Sequence, residues 1–119
     1  MRTKEDKPLV NRSAVVVKPR APFLNWLHGA DPTSHALKLK DLVREPTIYL
    51  IPECETKNEV AEVLEELSEE IFIEQLEGWY RDQATWPKDR SFEVFRRWFT
   101  IEHHSILMDL CDDPLIREI

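Results

Sequence analysis

Glycine is nearly missing from this sequence: its 119 residues contain two, Gly29 and Gly78. Gly-rich phosphate loops need several residues without a Cβ, so nucleotide sites of that kind are excluded. Cysteine is equally scarce, with Cys54 and Cys111 far apart and no CxxC pair. There is no HxH, HExxH or closely spaced Cys/His set to hold a metal, and no GxSxG nucleophile elbow. No apolar run approaches the ~18 residues that a membrane-spanning helix needs. The first eight residues, Met1 to Pro8, lack the apolar core of a signal peptide. The expectation is a reduced, cytoplasmic protein with no membrane partner.

What is present points to one folded domain. Hydrophobic residues make up 42% of the chain, too many for a disordered one, and the mean hydropathy of -0.45 is too low for a membrane protein. A chain of this length buries roughly two-thirds of its unfolded surface. Residues 1–11 are mostly polar and read as a flexible tail, leaving 12–119 as a single domain. The formal net charge is -7, unevenly spread. Residues 1–44 hold nine Lys/Arg against four Asp/Glu, and residues 45–119 hold seven against nineteen. The basic residues are scattered and the acidic ones clustered, which disfavours nucleic acid as a partner.

Ser13-Ala14-Val15-Val16-Val17 is β-branched and apolar on both faces, the pattern of a strand covered on both sides. Phe23, Trp26 and Leu27 give a short helix one apolar face, with Gly29 expected at its end. Leu37 to Val43 suggests another short helix or an ordered connection, closed by Pro46. Thr47-Ile48-Tyr49-Leu50-Ile51 is a second strand ended by Pro52. Thr56 with Glu59 three residues on is a capping box, opening a long helix from Lys57 to about Trp79, with Gly78 near its end. Ser91 caps a last short helix bearing Phe92, Phe95 and Phe99 on one face. In Trp98–Leu110 the alternation of Ile106, Met108 and Leu110 favours a strand, although helical spacing fits nearly as well.

The long helix changes its apolar face part-way along. With Val60 at zero, Val63, Leu64, Leu67 and Ile71 fall within about 60° of it. Phe72, Ile73, Leu76, Trp79 and Tyr80 lie between about 100° and 220°, on the opposite side. Three readings compete. The Ser91–Phe99 helix passes beneath the second set, or that set is a self-association surface, or the helix kinks near Ile71–Ile73.

Between Glu53 and Glu77 there are ten glutamates and one lysine, Lys57. Glu62, Glu66 and Glu69 lie on the side away from the early stripe. Such a face is either simply solvated or an electrostatic dock for a basic protein, as in small acidic inhibitors and immunity-type proteins.

Catalytic chemistry finds little support. His103 and His104 are adjacent, so on a strand they point to opposite faces and cannot readily grip one ion. A metal site or small enzyme would need Glu66 or Glu70 beside His103. His28 and His35 flank the Gly29–Ser34 loop and can face each other. Cys54 stands between Glu53 and Glu55, which oppose formation of a thiolate. Neither a catalytic residue nor a cofactor is assigned. Trp26 and Trp98 read as core, and Trp86, beside Pro87 in a polar loop, is the candidate recognition anchor.

The combination Asn11-Arg12-Ser13-Ala14-Val15-Val16-Val17, Pro22-Phe23, Trp26-Leu27, Thr47-Ile48-Tyr49-Leu50-Ile51-Pro52 and Gly78-Trp79-Tyr80 resembles a family of small uncharacterised bacterial proteins. That resemblance implies a bacterial cytoplasmic origin and carries over no activity or catalytic residue.

The expected fold is α+β: a small, about three-stranded sheet with a long amphipathic helix and shorter helices packed on it. If its first two strands are parallel neighbours, their connection is right-handed. The two-sided apolar character of both early strands favours a sheet covered on both faces as the alternative. The expected function is a non-catalytic interaction protein, a homodimer associating through Phe72, Ile73, Leu76 and Tyr80 with Trp86. The alternatives are an acidic inhibitor that presents Glu62, Glu66 and Glu69 to a basic partner, and a metal-binding protein or enzyme built on helix glutamates with His103 and His104.

Overall fold

In the computed structural model, residues 8–119 are described. Three antiparallel strands, β1 (Ser13–Pro19), β2 (Thr47–Ile51) and β3 (Phe99–His104), form one sheet in the order β2-β1-β3. The β-branched first strand therefore sits in the middle, where both its edges are paired. Val15 faces Tyr49 on one side and His103 on the other, and Val17 faces Thr47 and Ile101. Because β1 and β2 are antiparallel, the parallel, right-handed connection considered from sequence does not arise.

The helices are α1 (Ala21–Ala30), α2 (Leu39–Leu42), α3 (Lys57–Trp79) and α4 (Phe92–Trp98). Side-chain caps start the two that matter most. The Thr56 hydroxyl accepts from the Glu59 N–H at 3.2 Å, and the Ser91 hydroxyl accepts from the Val94 N–H at 3.3 Å. Each satisfies a backbone donor that the first helical turn leaves unpaired. Neither glycine adopts a left-handed conformation. Gly78 lies inside α3, and extended residues, Asp31 and Tyr80, close α1 and α3 instead of the glycines.

Successive strand residues alternate sides, so Ser13, Val15 and Val17 share one face with Tyr49, Ile51, Phe99 and Ile101. All four helices contribute residues to the core, where Val15, Val17, Ile51 and Phe99 of that face meet Phe23, Leu27, Leu42, Leu64, Phe72 and Phe95. Ser13 ties the sheet to the exit of β2, its hydroxyl accepting from the Cys54 N–H at 2.9 Å and donating to the Cys54 carbonyl at 3.2 Å.

The helix whose apolar stripe moves is continuous from Lys57 to Trp79. Its buried residues run from Val60 and Leu64 through Ser68, Ile71 and Gln75 to Phe72 and Leu76. The first of these flank the sheet. The last are covered by α4 and the start of β3, with Phe72 ring centroids 6.3 Å from Phe95, 5.3 Å from Trp98 and 5.2 Å from Phe99. The moved stripe is thus the footprint of a second neighbour.

Past β1 and β3 the pairing continues as a two-stranded arm. Leu9 bridges Met108, the Val10 N–H donates to the Leu107 carbonyl at 2.8 Å, and the Asp109 N–H donates to the Pro8 carbonyl at 2.9 Å. Of the segment expected to be a tail, residues 1–7 lie outside the described residues, and Pro8–Val10 belong to this arm. Among the described residues no helix is long and apolar enough to cross a membrane.

Candidate functional site

The second face of the sheet carries no helix. It carries buried Ala14 with half-buried Val16 and Lys18 from β1, Ile48 and Leu50 from β2, and Thr100, Glu102 and His104 from β3. The aliphatic side chains of the edge strand are open to water, Ile48 at 61% and Leu50 at 52% exposure, while Val15 and Val17 across the sheet have none. Around this apolar centre sits a polar rim. His104 Nε2 lies 3.2 Å from Glu102 Oε2. That hydrogen bond, with the positive charge of Lys18, holds the Glu102 carboxyl below the usual range.

The arm and the segment after it extend the apolar surface. Leu9, Ile106, Met108 and Leu110 are exposed, as are Leu115 and Ile116 farther on. Leu50, Leu115 and Ile116 line one hollow together with Val10 and Arg12, so the sheet face and the C-terminal segment meet. Exposed apolar groups in a contiguous patch, unlike scattered ones, are candidates for an association surface.

The expected partner-binding residues fare differently. Phe72 and Leu76 are fully buried, so neither is available to a partner; the core packing of α4 takes them. Ile73 is half-buried, and Tyr80 packs against the core. Trp86 is not an exposed anchor either. Its ring packs on the core and its indole N–H donates to the Tyr80 carbonyl at 2.8 Å, while Trp26 donates to the Thr85 carbonyl at 2.8 Å. The two indoles lash the 80–86 loop to the body. Glu62, Glu66 and Glu69 are exposed, and none of them makes an ion pair among the described residues.

The residues weighed for chemistry are dispersed. His103 lies on the helix side of β3 and His104 on the bare side, as strand alternation requires. Glu70 lines a hollow beside β2 with Tyr49 and Leu50, across the sheet from His103. Among the described residues no three His, Cys, Asp or Glu side chains come together to hold a metal ion. His28 and His35 do face each other, with ring centroids 5.7 Å apart, and His28 donates to the Leu37 carbonyl at 2.9 Å. The Cys54 thiol is buried and donates to the Pro52 carbonyl at 3.2 Å. Burial first, and then the charge of Glu59, pushes its pKa up, which is the wrong direction for a nucleophile.

Sequence reasoning missed a polar link between the layers. The Tyr49 hydroxyl donates to Glu74 Oε2 at 3.1 Å and accepts from Gln75 Nε2 at 3.0 Å. Burial first, and then the Glu74 charge, drives the Tyr49 pKa well above its ordinary value of 10.0. The signal was a tyrosine within an otherwise aliphatic strand, opposite a glutamine on the buried side of the helix.

No family model matches this chain, and no curated protein or solved structure matches it either.

Proposed function

We propose that this protein is a non-catalytic association module, and that two copies pair through the bare face of the sheet. The observation that carries this is a mismatch within the chain. β1 and β2 are apolar on both sides, and the protein's own helices cover one side only. A second copy is the simplest cover because the face is self-complementary. In a two-fold pairing each residue meets a partner's counterpart reciprocally. Val16, Ile48 and Leu50 then meet their own kind, and Lys18 of one copy can lie against Glu102 of the other.

Magnitudes decide how much of the surface is needed. Three strands of about six residues give a footprint of about 300 Å². A stable interface takes about 800 Å² per partner. Burying the half-exposed aliphatic groups of the sheet gives only a few kcal/mol, against an association cost of about 4–15 kcal/mol. The arm therefore belongs to the interface, with Leu9, Ile106, Met108 and Leu110 gripping the second copy.

Light scattering on a sizing column tests this with the variant Ile48→Lys plus Leu50→Lys, both on an exposed edge strand. The wild type is expected at dimer mass, and the variant at monomer mass with an unchanged circular dichroism spectrum, its melting temperature matching that of wild type diluted to monomer. A wild type that is monomeric at high micromolar concentration, or a variant that remains dimeric, overturns the reading.

One observation favours a second reading, in which the outer face of α3 docks a basic protein. The exposed Glu62, Glu66 and Glu69 make no ion pair among the described residues. Such a complex weakens steeply with salt as the Debye length falls from about 10 Å at 0.1 M to about 3 Å at 1 M.

A further inference from the structure

On the helix side of the sheet, away from the proposed dimer face, a groove of about 370 Å³ opens between the first turns of α3, α4 and β3. Its floor is aliphatic, built from Val60, Leu64 and Ile101, and the Phe92 ring forms one wall. At its edges stand Lys57, Arg96 and His103. In a chain of net charge -7, with ten glutamates between Glu53 and Glu77, the groove is lined by basic and apolar side chains and by no acidic one.

The geometry points to a binding site for a small amphipathic anion, with an apolar body and one carboxylate or phosphate head. Four observations converge on that class. The volume lies within the range of small-molecule sites, about 300–1,000 Å³. The apolar floor suits an alkyl or aryl body. The guanidinium of Arg96 is steadied over the Phe92 ring, 5.5 Å from its centroid, which presents the cation at the groove without an ion pair among the described residues. His103 Nε2 is buried and has no hydrogen-bond partner among the described residues. A buried polar atom of that kind calls for a partner. An anionic head held by Lys57 and Arg96 offers an acceptor to the His103 ring that lines the same groove.

The site is independent of the pairing through the bare sheet face, because His103 and His104 point to opposite sides of β3. Loss of one property leaves the other measurable.

Octanoate, octyl phosphate and octanol, titrated in turn into methyl-labelled full-length protein and followed by NMR, test the inference. Shifts are expected at Val60, Leu64, Ile101 and the His103 ring, with at least one of the two anions bound tenfold or more tighter than octanol. The tighter of the two anions identifies the head group. Lys57→Gln and Arg96→Gln are each expected to weaken it about tenfold, since each removes a charge-assisted contact. Ala61→Trp, at an exposed position on the groove wall, is expected to block entry without disturbing the fold. The inference is overturned if neither anion shifts these groups, if octanol binds as well as both anions, or if binding survives Ala61→Trp.

Discussion

The two faces of one three-stranded sheet have opposite fates here. On the helix side Val15 and Val17 are sealed beneath Leu64, Phe72 and Phe95. On the other side Ala14 is buried too and Val16 half-buried, but Ile48 and Leu50 of the edge strand remain open to water. Val15 and Val17 on one side of β1 and Ala14 and Val16 on the other are alike in type, so these residues alone did not decide which side the helices would cover. What decided it was the placement of large side chains elsewhere in the chain. Phenylalanines and leucines on α1, α3 and α4 form the one layer over the Val15 and Val17 face, while the leucines of the arm and the C-terminal segment, Leu9, Leu110 and Leu115, stay exposed. An apolar strand face without an internal cover is a statement about assembly as much as about folding.

The contrast can be broken most severely from the covered side. Phe72→Ala leaves a cavity among Phe95, Trp98 and Phe99, and is expected to cost about 3–5 kcal/mol, a large share of the ~5–15 kcal/mol that holds a domain together. Urea denaturation reads that loss directly. Had Phe72 been an interface residue, the same change would lower association and spare the fold.

On the bare side the matching test is gentler to the fold. Ile48→Lys with Leu50→Lys is expected to shift monomer stability by less than about 0.5 kcal/mol, because exposed positions tolerate exchange. Thermal melting of the dilute protein checks it. The single and the double substitution should therefore sort cleanly, one into stability and the other into association.

Tyr49 sharpens the comparison at the boundary between layers. Tyr49→Phe removes the hydroxyl and leaves the buried Gln75 amide without its partner, at an expected cost of about 1–2 kcal/mol near pH 7. The pH dependence has a definite sign. The folded state holds the Tyr49 proton above the ordinary value of 10.0, so the unfolded chain loses it first. Wild-type stability is thus expected to fall as pH rises past about 10, and the phenylalanine variant to lack that part of the decline. Chemical denaturation at pH 8 and pH 11 distinguishes them.

The smallest effect belongs to the outer face of α3. Replacing Glu62, Glu66 and Glu69 with Gln removes like charges at i,i+3 and i,i+4 spacing, and is expected to raise stability by a few tenths of a kcal/mol per relieved pair. Melting at low and high salt measures it, with the gain shrinking as salt is added.

Much of the architecture was legible because it is written locally. Two β-branched runs marked β1 and β2, while Thr56 and Ser91 marked the starts of α3 and α4 through their caps. The moved stripe of α3 was visible as well, but its meaning was not. Periodicity shows that Phe72 and Leu76 need a cover, yet only tertiary packing decides that Phe95, Trp98 and Phe99 supply it. The same limit applied to Trp86, whose polar surroundings suggested exposure. Its indole N–H found a carbonyl six residues back, and the ring followed it onto the core. The arm escaped for a different reason. Pairing of Leu9 with Met108 joins nearly opposite ends of the described chain, and nothing local encodes such a contact. The bare face was hidden because a two-sided apolar strand reads as covered, whichever molecule does the covering.

The account rests on the two faces of the sheet differing in what covers them, and a methyl-labelled NMR spectrum followed on dilution from millimolar to low micromolar protein tests that most directly. The methyls of Val16, Ile48 and Leu50, with Leu9 and Met108 on the arm, should shift together along one dimer–monomer curve. Those of Val15, Val17 and Leu64 should hold their positions. If the bare-face methyls stay fixed throughout, or if both sets move together, the bare face is not an interface and the account fails.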